Sequence, residues 1–175
     1  MADSFTQMLH QWQNFYILVG TASATLIGLT FIAASLGSGL VPRDPASTVV
    51  HTWVTPMISH FSAVLFICIF LAMPALSPLL TSIVLGIGGL FGLRYVVQIA
   101  RRFQQQQGTP IATADLLWHL ILPATAYAFI LIAAAGLLLS IDQALTILGL
   151  ALALLLAASI RNTWDLVVWI SQQSP

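Results

Sequence analysis

Few side chains in this 175-residue sequence are equipped for acid–base, ligand or charge chemistry. There are four His, one Cys, five Arg and five Asp, with neither Lys nor Glu. Where they fall matters more than how many there are. His60, Arg94, Gln98, His119, Arg161 and Asp165 all interrupt long apolar stretches. An ionisable group in such a stretch costs about 3 kcal/mol on membrane-insertion scales and needs a partner or a cavity. Arg161 and Asp165 are one helical turn apart and can pair. Arg94 then needs its own acceptor, which Asp165 or a carbonyl could supply. His60 is too short to reach an interface, and Ser59, Ser62 and the carbonyl freed by Pro56 offer it polar partners. Imidazole is the side chain suited to exchanging protons near neutral pH.

Other chemistries find less support. His60 and His119 lie on different apolar stretches and could serve as two axial haem ligands. His10 and His51 offer no second pair, and Met57 shares a helix with His60. Metal hydrolysis lacks a His-x-x-x-His pair and any Glu. Ser38 sits between Gly37 and Gly39, but Leu36 and Leu40 occupy the places where a nucleophile elbow needs glycine. Cys68 stands alone in an apolar run and reads as a small packing residue. No catalytic residue and no metal site emerges.

Those residues must be positioned by helices in a bilayer. Apolar residues make up 59% of the chain, charged residues 6%, and mean hydropathy is +0.97. Soluble domains carry about 25% charged residues. The composition therefore excludes a soluble enzyme, a disordered chain and, for want of a basic patch, a nucleic-acid binder. A spanning helix takes about 20 residues, and the punctuation divides the chain into five, at about 13–38, 49–73, 79–102, 114–139 and 142–171. Gly37 to Pro45 ends the first, Pro74-Ala75-Leu76-Ser77-Pro78 makes a tight second turn, and a polar loop from Gln104 to Pro110 makes the third. Ser140-Ile141-Asp142-Gln143 reads as a capping box at a hairpin tip. Pro56 and Pro123 predict two kinks. The expected fold is one all-α transmembrane bundle over 1–175.

Orientation follows from the arginines. Arg43, Arg94, Arg101, Arg102 and Arg161 all reach one side if five spans begin with the N-terminus outside and end with the C-terminus in the cytoplasm. Trp12, Tyr16, Trp53, Trp118, Trp164 and Trp169 fall near the expected interfaces, as an aromatic belt does. Counted inward at 1.5 Å per residue, most of the polar set lies roughly 7–15 Å from the cytoplasmic ends. The expectation is a polar layer in that half of the bundle. Its ordinary reading is structural: long arginines snorkel, an ion pair fixes register, and a lone His is hydrogen-bonded. Its sharper reading is a proton or anion site.

The first span also carries Gly20, Ala24 and Gly28 at intervals of four, flanked by Thr21, Ser23 and Thr25. Such a stripe lets another helix come close, or lines a pore with hydroxyls. Gly88 and Gly92 make a second small stripe on the third span. No internal repeat is evident.

The run Asn14-Phe15-Tyr16, Gly20, Ala24, Gly28-Leu29, Phe31, Ser35-Leu36 resembles the first helix of a family of small, largely uncharacterised bacterial membrane proteins. Arg161-Asn162-Thr163-Trp164-Asp165 is similar to that family's last helix. The likeness covers about a quarter of the chain. It implies a bacterial inner-membrane protein, and some relatives are labelled modulators of a membrane protease; no catalytic residues carry over.

Together these readings predict a non-enzymatic, multi-pass inner-membrane protein that self-associates into a channel or transport path for a proton or small anion. Its partners would be the lipid bilayer, further copies of itself, or another membrane protein. The alternatives are an accessory or regulatory subunit of a larger membrane complex and, behind it, a haem-bearing electron carrier.

Overall fold

The computed structural model describes residues 2–36, 55–105 and 116–173, and these form five helices with no strand among them. They are α1 (Ala2–Leu36), α2 (Thr55–Leu71), α3 (Pro78–Gln105), α4 (Leu122–Leu138) and α5 (Ala144–Gln173). One π-helical turn, Leu117–Ile121, runs directly into α4. Four stretches are long and apolar enough to cross a membrane: Phe5–Ala33, Pro78–Arg102, Leu117–Leu138 and Ala144–Val168. The described part of α2 is apolar but shorter. Its expected opening turns from 49, with Trp53, lie outside the described residues, as do Arg43 and His51.

Helix α1 begins at Ala2 rather than near 13. No Gly or Pro interrupts the first turns. Phe5 and Leu9 add a buried stripe that continues through Tyr16, Val19 and Ser23 to Thr30. Amphipathic spacing therefore carries the helix past the point where average hydropathy fades. Helix α3 likewise runs on to Gln105, because Arg and Gln are good helix formers.

The two short connections are built from specific caps. Ser77 caps α3, its hydroxyl accepting from the Leu80 N–H at 3.2 Å, and Pro78 takes the first helical position, where a missing N–H costs nothing. The expected turn at 74–78 is present, with Ala75 in the left-handed region at φ 58°. Between α4 and α5, Ser140 does not act as an N-cap. It takes φ 56°, while Ile141 N–H donates to the Gly136 carbonyl at 2.8 Å and Ser140 N–H to Leu137 at 3.2 Å. That pair of bonds is a Schellman ending of α4. The hairpin tip is where the sequence puts it, but it is made by the end of one helix rather than by a capping box at the start of the next.

Of the two expected kinks, the one at Pro56 turns on the Thr52 carbonyl, which lies outside the described residues. Pro123 has no N–H for the His119 carbonyl and its ring crowds that oxygen. The chain responds with an extra residue: Leu122 N–H reaches back to the Leu117 carbonyl, one residue further than in an α-helix.

Three helix pairs, α1–α2, α3–α4 and α4–α5, run antiparallel, each closed at a small residue. Gly20 faces Cys68 and Ser23 faces Phe61 across α1 and α2. Gly92 faces Tyr127 and Gly89 faces Leu131 across α3 and α4. Gly136 faces Ala144 across α4 and α5. Helix α5 is central, touching α1, α2 and α4, and it buries Leu148, Ala151, Leu152, Leu155 and Ala158. Helix α3 is peripheral, with Ile87, Leu90 and Phe91 on its open face. In lipid there is little hydrophobic drive between helices, so close approach at small residues and a few buried polar bonds must supply the cohesion.

Candidate functional site

The site is assembled by α2, α3 and α4 at the end of the bundle that carries the described arginines. His60 is one turn into α2 and only 1% exposed. Its Nδ1 lies 2.9 Å from the hydroxyl of Tyr127 on α4. Tyr95 on α3 stands edge-on to the same imidazole, with ring centroids 6.2 Å apart at 74°. The rings of His60 and Tyr127 are 5.6 Å apart and tilted by 54°. Helices α2, α3 and α4 thus meet at one imidazole. His119 is buried in the π-helical turn that leads into α4.

Local sequence explains the convergence. The Tyr127 ring fits only because position 92 is glycine: a Cβ there would lie 2.0 Å from the ring's Cε1. The Tyr127 hydroxyl then projects past α3 to α2. On α4, the extra residue ahead of Pro123 advances the register by about 100°, so it sets how His119 is rotated relative to Tyr127. The same turn exposes the Trp118 carbonyl to the amide of Asn162 on α5, at 3.4 Å. Asn162 Oδ1 and Ser159 Oγ, one turn apart on the buried face of α5, have no hydrogen-bond partner among the described residues. Acceptors buried without partners are expensive. Their presence beside the histidine turn marks the interior here as more polar than packing alone requires.

The expected polar layer divides into three parts. His60 and His119 are inside. Arg94 and Gln98 are exposed on α3, with Arg101, around a surface groove of about 310 Å³. Arg161 and Asp165 form their own ion pair on α5, with side chains 42% and 43% exposed. Asp165 is therefore the partner of Arg161, and it is not the acceptor for Arg94. The partner His60 meets is Tyr127, while the Ser59 hydroxyl donates to the Thr55 carbonyl at 2.9 Å; the carbonyl freed by Pro56 lies outside the described residues. Tyr127 and Tyr95 are the residues that sequence reasoning passed over. The available signal was a Tyr in the middle of an apolar helix, since a buried hydroxyl needs a partner.

The small-residue stripes also separate. Gly20 packs against the Cβ of Cys68, where an added methyl would be 3.0 Å away. Ser23 donates to the Phe61 carbonyl at 2.8 Å. Thr21, Ala24, Thr25 and Gly28 face outward, and nothing lies within 4 Å of a Cβ built on Gly28. Thr25 returns its hydroxyl to the Thr21 carbonyl at 2.9 Å, as hydroxyls in membrane helices commonly do. On α3, Gly88 opens on space, and the packing glycines are Gly89 and Gly92.

No protein-family model, no curated protein and no solved structure matches this chain. The chemistry of the site is therefore read from its own geometry. Among the described residues no group of three His, Cys, Asp or Glu side chains is gathered for a metal ion. What the geometry offers is a buried, hydrogen-bonded His–Tyr pair, with a second buried imidazole in the turn that leads into α4, a combination that can hold or relay a proton.

Proposed function

We propose that this chain is a multi-pass protein of a bacterial inner membrane, without catalytic residues of its own, that self-associates and provides a transport path for protons or a small anion. The observation that carries the reading is the buried contact between His60 Nδ1 and the Tyr127 hydroxyl at 2.9 Å. A titratable ring on the inside of a membrane bundle is retained at a cost, and proton relays and ion paths are where that cost is usually repaid. Support comes from a second buried imidazole, His119, in the turn that leads into α4, and from Ser159 Oγ and Asn162 Oδ1 on α5, which have no hydrogen-bond partner among the described residues. Self-association is supported by the outward stripe of Thr21, Ala24, Thr25 and Gly28, which would let a second α1 approach closely. The orientation with the C-terminus in the cytoplasm rests on the arginine distribution.

The test is flux in liposomes. Purified protein is reconstituted with an internal pH dye, and a proton gradient or an anion gradient is imposed. Wild type dissipates one of them, and His60→Ala slows it while the protein still assembles. Wild-type liposomes as tight as empty ones would end the reading.

The same outward stripe favours a second reading, an accessory subunit that docks a partner's helix on α1. Mild solubilisation and pull-down would then recover a stoichiometric membrane protein. The haem alternative, with His60 and His119 as axial ligands, requires a Soret band in protein purified with haem supplied.

A further inference from the structure

We propose that the outer face of α3 holds the headgroup of an anionic phospholipid, between Arg94, Gln98 and Arg101. This inference is independent of the transport reading. At 100° per residue the three side chains fall within an arc of about 60° on one helix face. With Leu90, Leu93 and Val97 they line a groove of about 310 Å³. All three polar residues are exposed, and the one ion pair among the described residues is Arg161–Asp165 on another helix. Two guanidinium groups thus stand on one surface with no carboxylate partner among the described residues. Arg94 is also well inside the apolar stretch Pro78–Arg102. An arginine at that depth extends toward the nearer interface, which here brings it toward Arg101 and across Gln98.

The groove changes character along its length, and this selects the occupant. Its end toward Arg101 is cationic. Its other end continues into Leu90, Phe91 and Ile87, which are 61%, 69% and 53% exposed. A free anion would use only the first part. A phospholipid uses both, with phosphate oxygens on the two guanidinium forks and the Gln98 amide, and an acyl chain laid along the apolar strip. A net negative headgroup is required because two cations face it.

Native mass spectrometry of the full chain released from mixed phosphatidylglycerol and phosphatidylcholine nanodiscs tests this. Each basic residue near an anionic surface is worth about 1 kcal/mol, about fivefold. Wild type should retain phosphatidylglycerol in preference to phosphatidylcholine. Arg94→Gln with Arg101→Gln should lower that retention roughly thirtyfold, while Arg161→Gln leaves it unchanged. Arg94→Lys with Arg101→Lys should keep most of it. Wild-type selectivity is itself a readout that needs no variant, so a variant that misfolds does not remove the test. The proposal is overturned if wild type shows no preference between the two lipids, if the double Gln variant retains phosphatidylglycerol as wild type does, or if millimolar inorganic phosphate displaces the lipid, which would mean a free-anion site.

Discussion

Gly88 and Gly92 lie one turn apart on α3, and the structure predicts opposite responses when each gains a methyl group. At Gly92 the new Cβ would lie 2.0, 2.2 and 2.5 Å from three carbons of the Tyr127 ring. Non-bonded carbons settle at about 3.5–4.0 Å, so ring and helix must separate by about 1.5 Å. The ring is rigid and buried and cannot fold away as a flexible side chain would. Overpacking of this kind costs about 1–3 kcal/mol. Moving the ring also strains the 2.9 Å contact with His60, and leaving that buried pair unmade adds about 1–3 kcal/mol. Against this, Ala gains up to about 1 kcal/mol over Gly in helix propensity. The net expectation for Gly92→Ala is a loss of about 2–4 kcal/mol. At Gly88 nothing lies within 4 Å, so Gly88→Ala keeps only the propensity gain and should be neutral or stabilising by up to about 1 kcal/mol. The assay is thermal or denaturant unfolding in detergent micelles, followed by circular dichroism. Gly92→Ala in a Tyr127→Ala background should lose most of its cost, because the ring it meets is gone; this double-mutant cycle isolates the contact. If Gly92→Ala proves as harmless as Gly88→Ala, the α3–α4 packing described here is wrong.

Three further outcomes follow from the same structure. Tyr127→Phe removes the hydroxyl on His60 and should destabilise by about 1–3 kcal/mol in the same unfolding assay, with helix content unchanged. Arg161→Ala leaves the Asp165 carboxylate without its partner inside the apolar stretch Ala144–Val168 and should destabilise by about 3 kcal/mol, a cost that the double variant Arg161→Ala with Asp165→Ala should largely remove; a negligible loss in the single variant would mean water reaches the pair. Gly28→Leu fills open space on the protomer. It should leave thermal stability intact while reducing the proposed oligomer to monomer by native mass in nanodiscs, and an unchanged mass would exclude that stripe as the self-association surface.

Much of the architecture was legible from punctuation. The turn at 74–78, the hairpin tip at 140–143 and the last three of the four long apolar stretches lie close to where the sequence puts them, while the first begins about ten residues early. The Arg161–Asp165 pair was legible because a spacing of four on a helix leaves little freedom. The polar layer was legible only as a list of depths. Hydropathy gives how far along a helix a residue lies, but in a uniformly apolar helix it does not give which way the residue faces. That missing rotation is why Arg94 and Gln98 fall outside the bundle and His60 inside it. It is also why Gly89, rather than Gly88, joins Gly92 at the contact with α4. The π-helical turn adds a further displacement. An extra residue ahead of Pro123 turns the start of the fourth span by about 100° against the rest, a shift that no regular period carries. Tyr127 was missed for the same reason: its partner is on α2, across a glycine on α3, and only the assembled bundle shows the path.

The contact between His60 and Tyr127 is reported directly by imidazole nitrogen shifts. Protein labelled with ¹⁵N-histidine in nanodiscs gives four imidazole spin systems, one for each His. The structure predicts that the Nδ1 resonance of His60 carries a hydrogen-bond shift that Tyr127→Phe abolishes, while His10, exposed near the start of α1, does not move. A His60 resonance indifferent to the loss of the Tyr127 hydroxyl would contradict the geometry, and with it the proposed proton path.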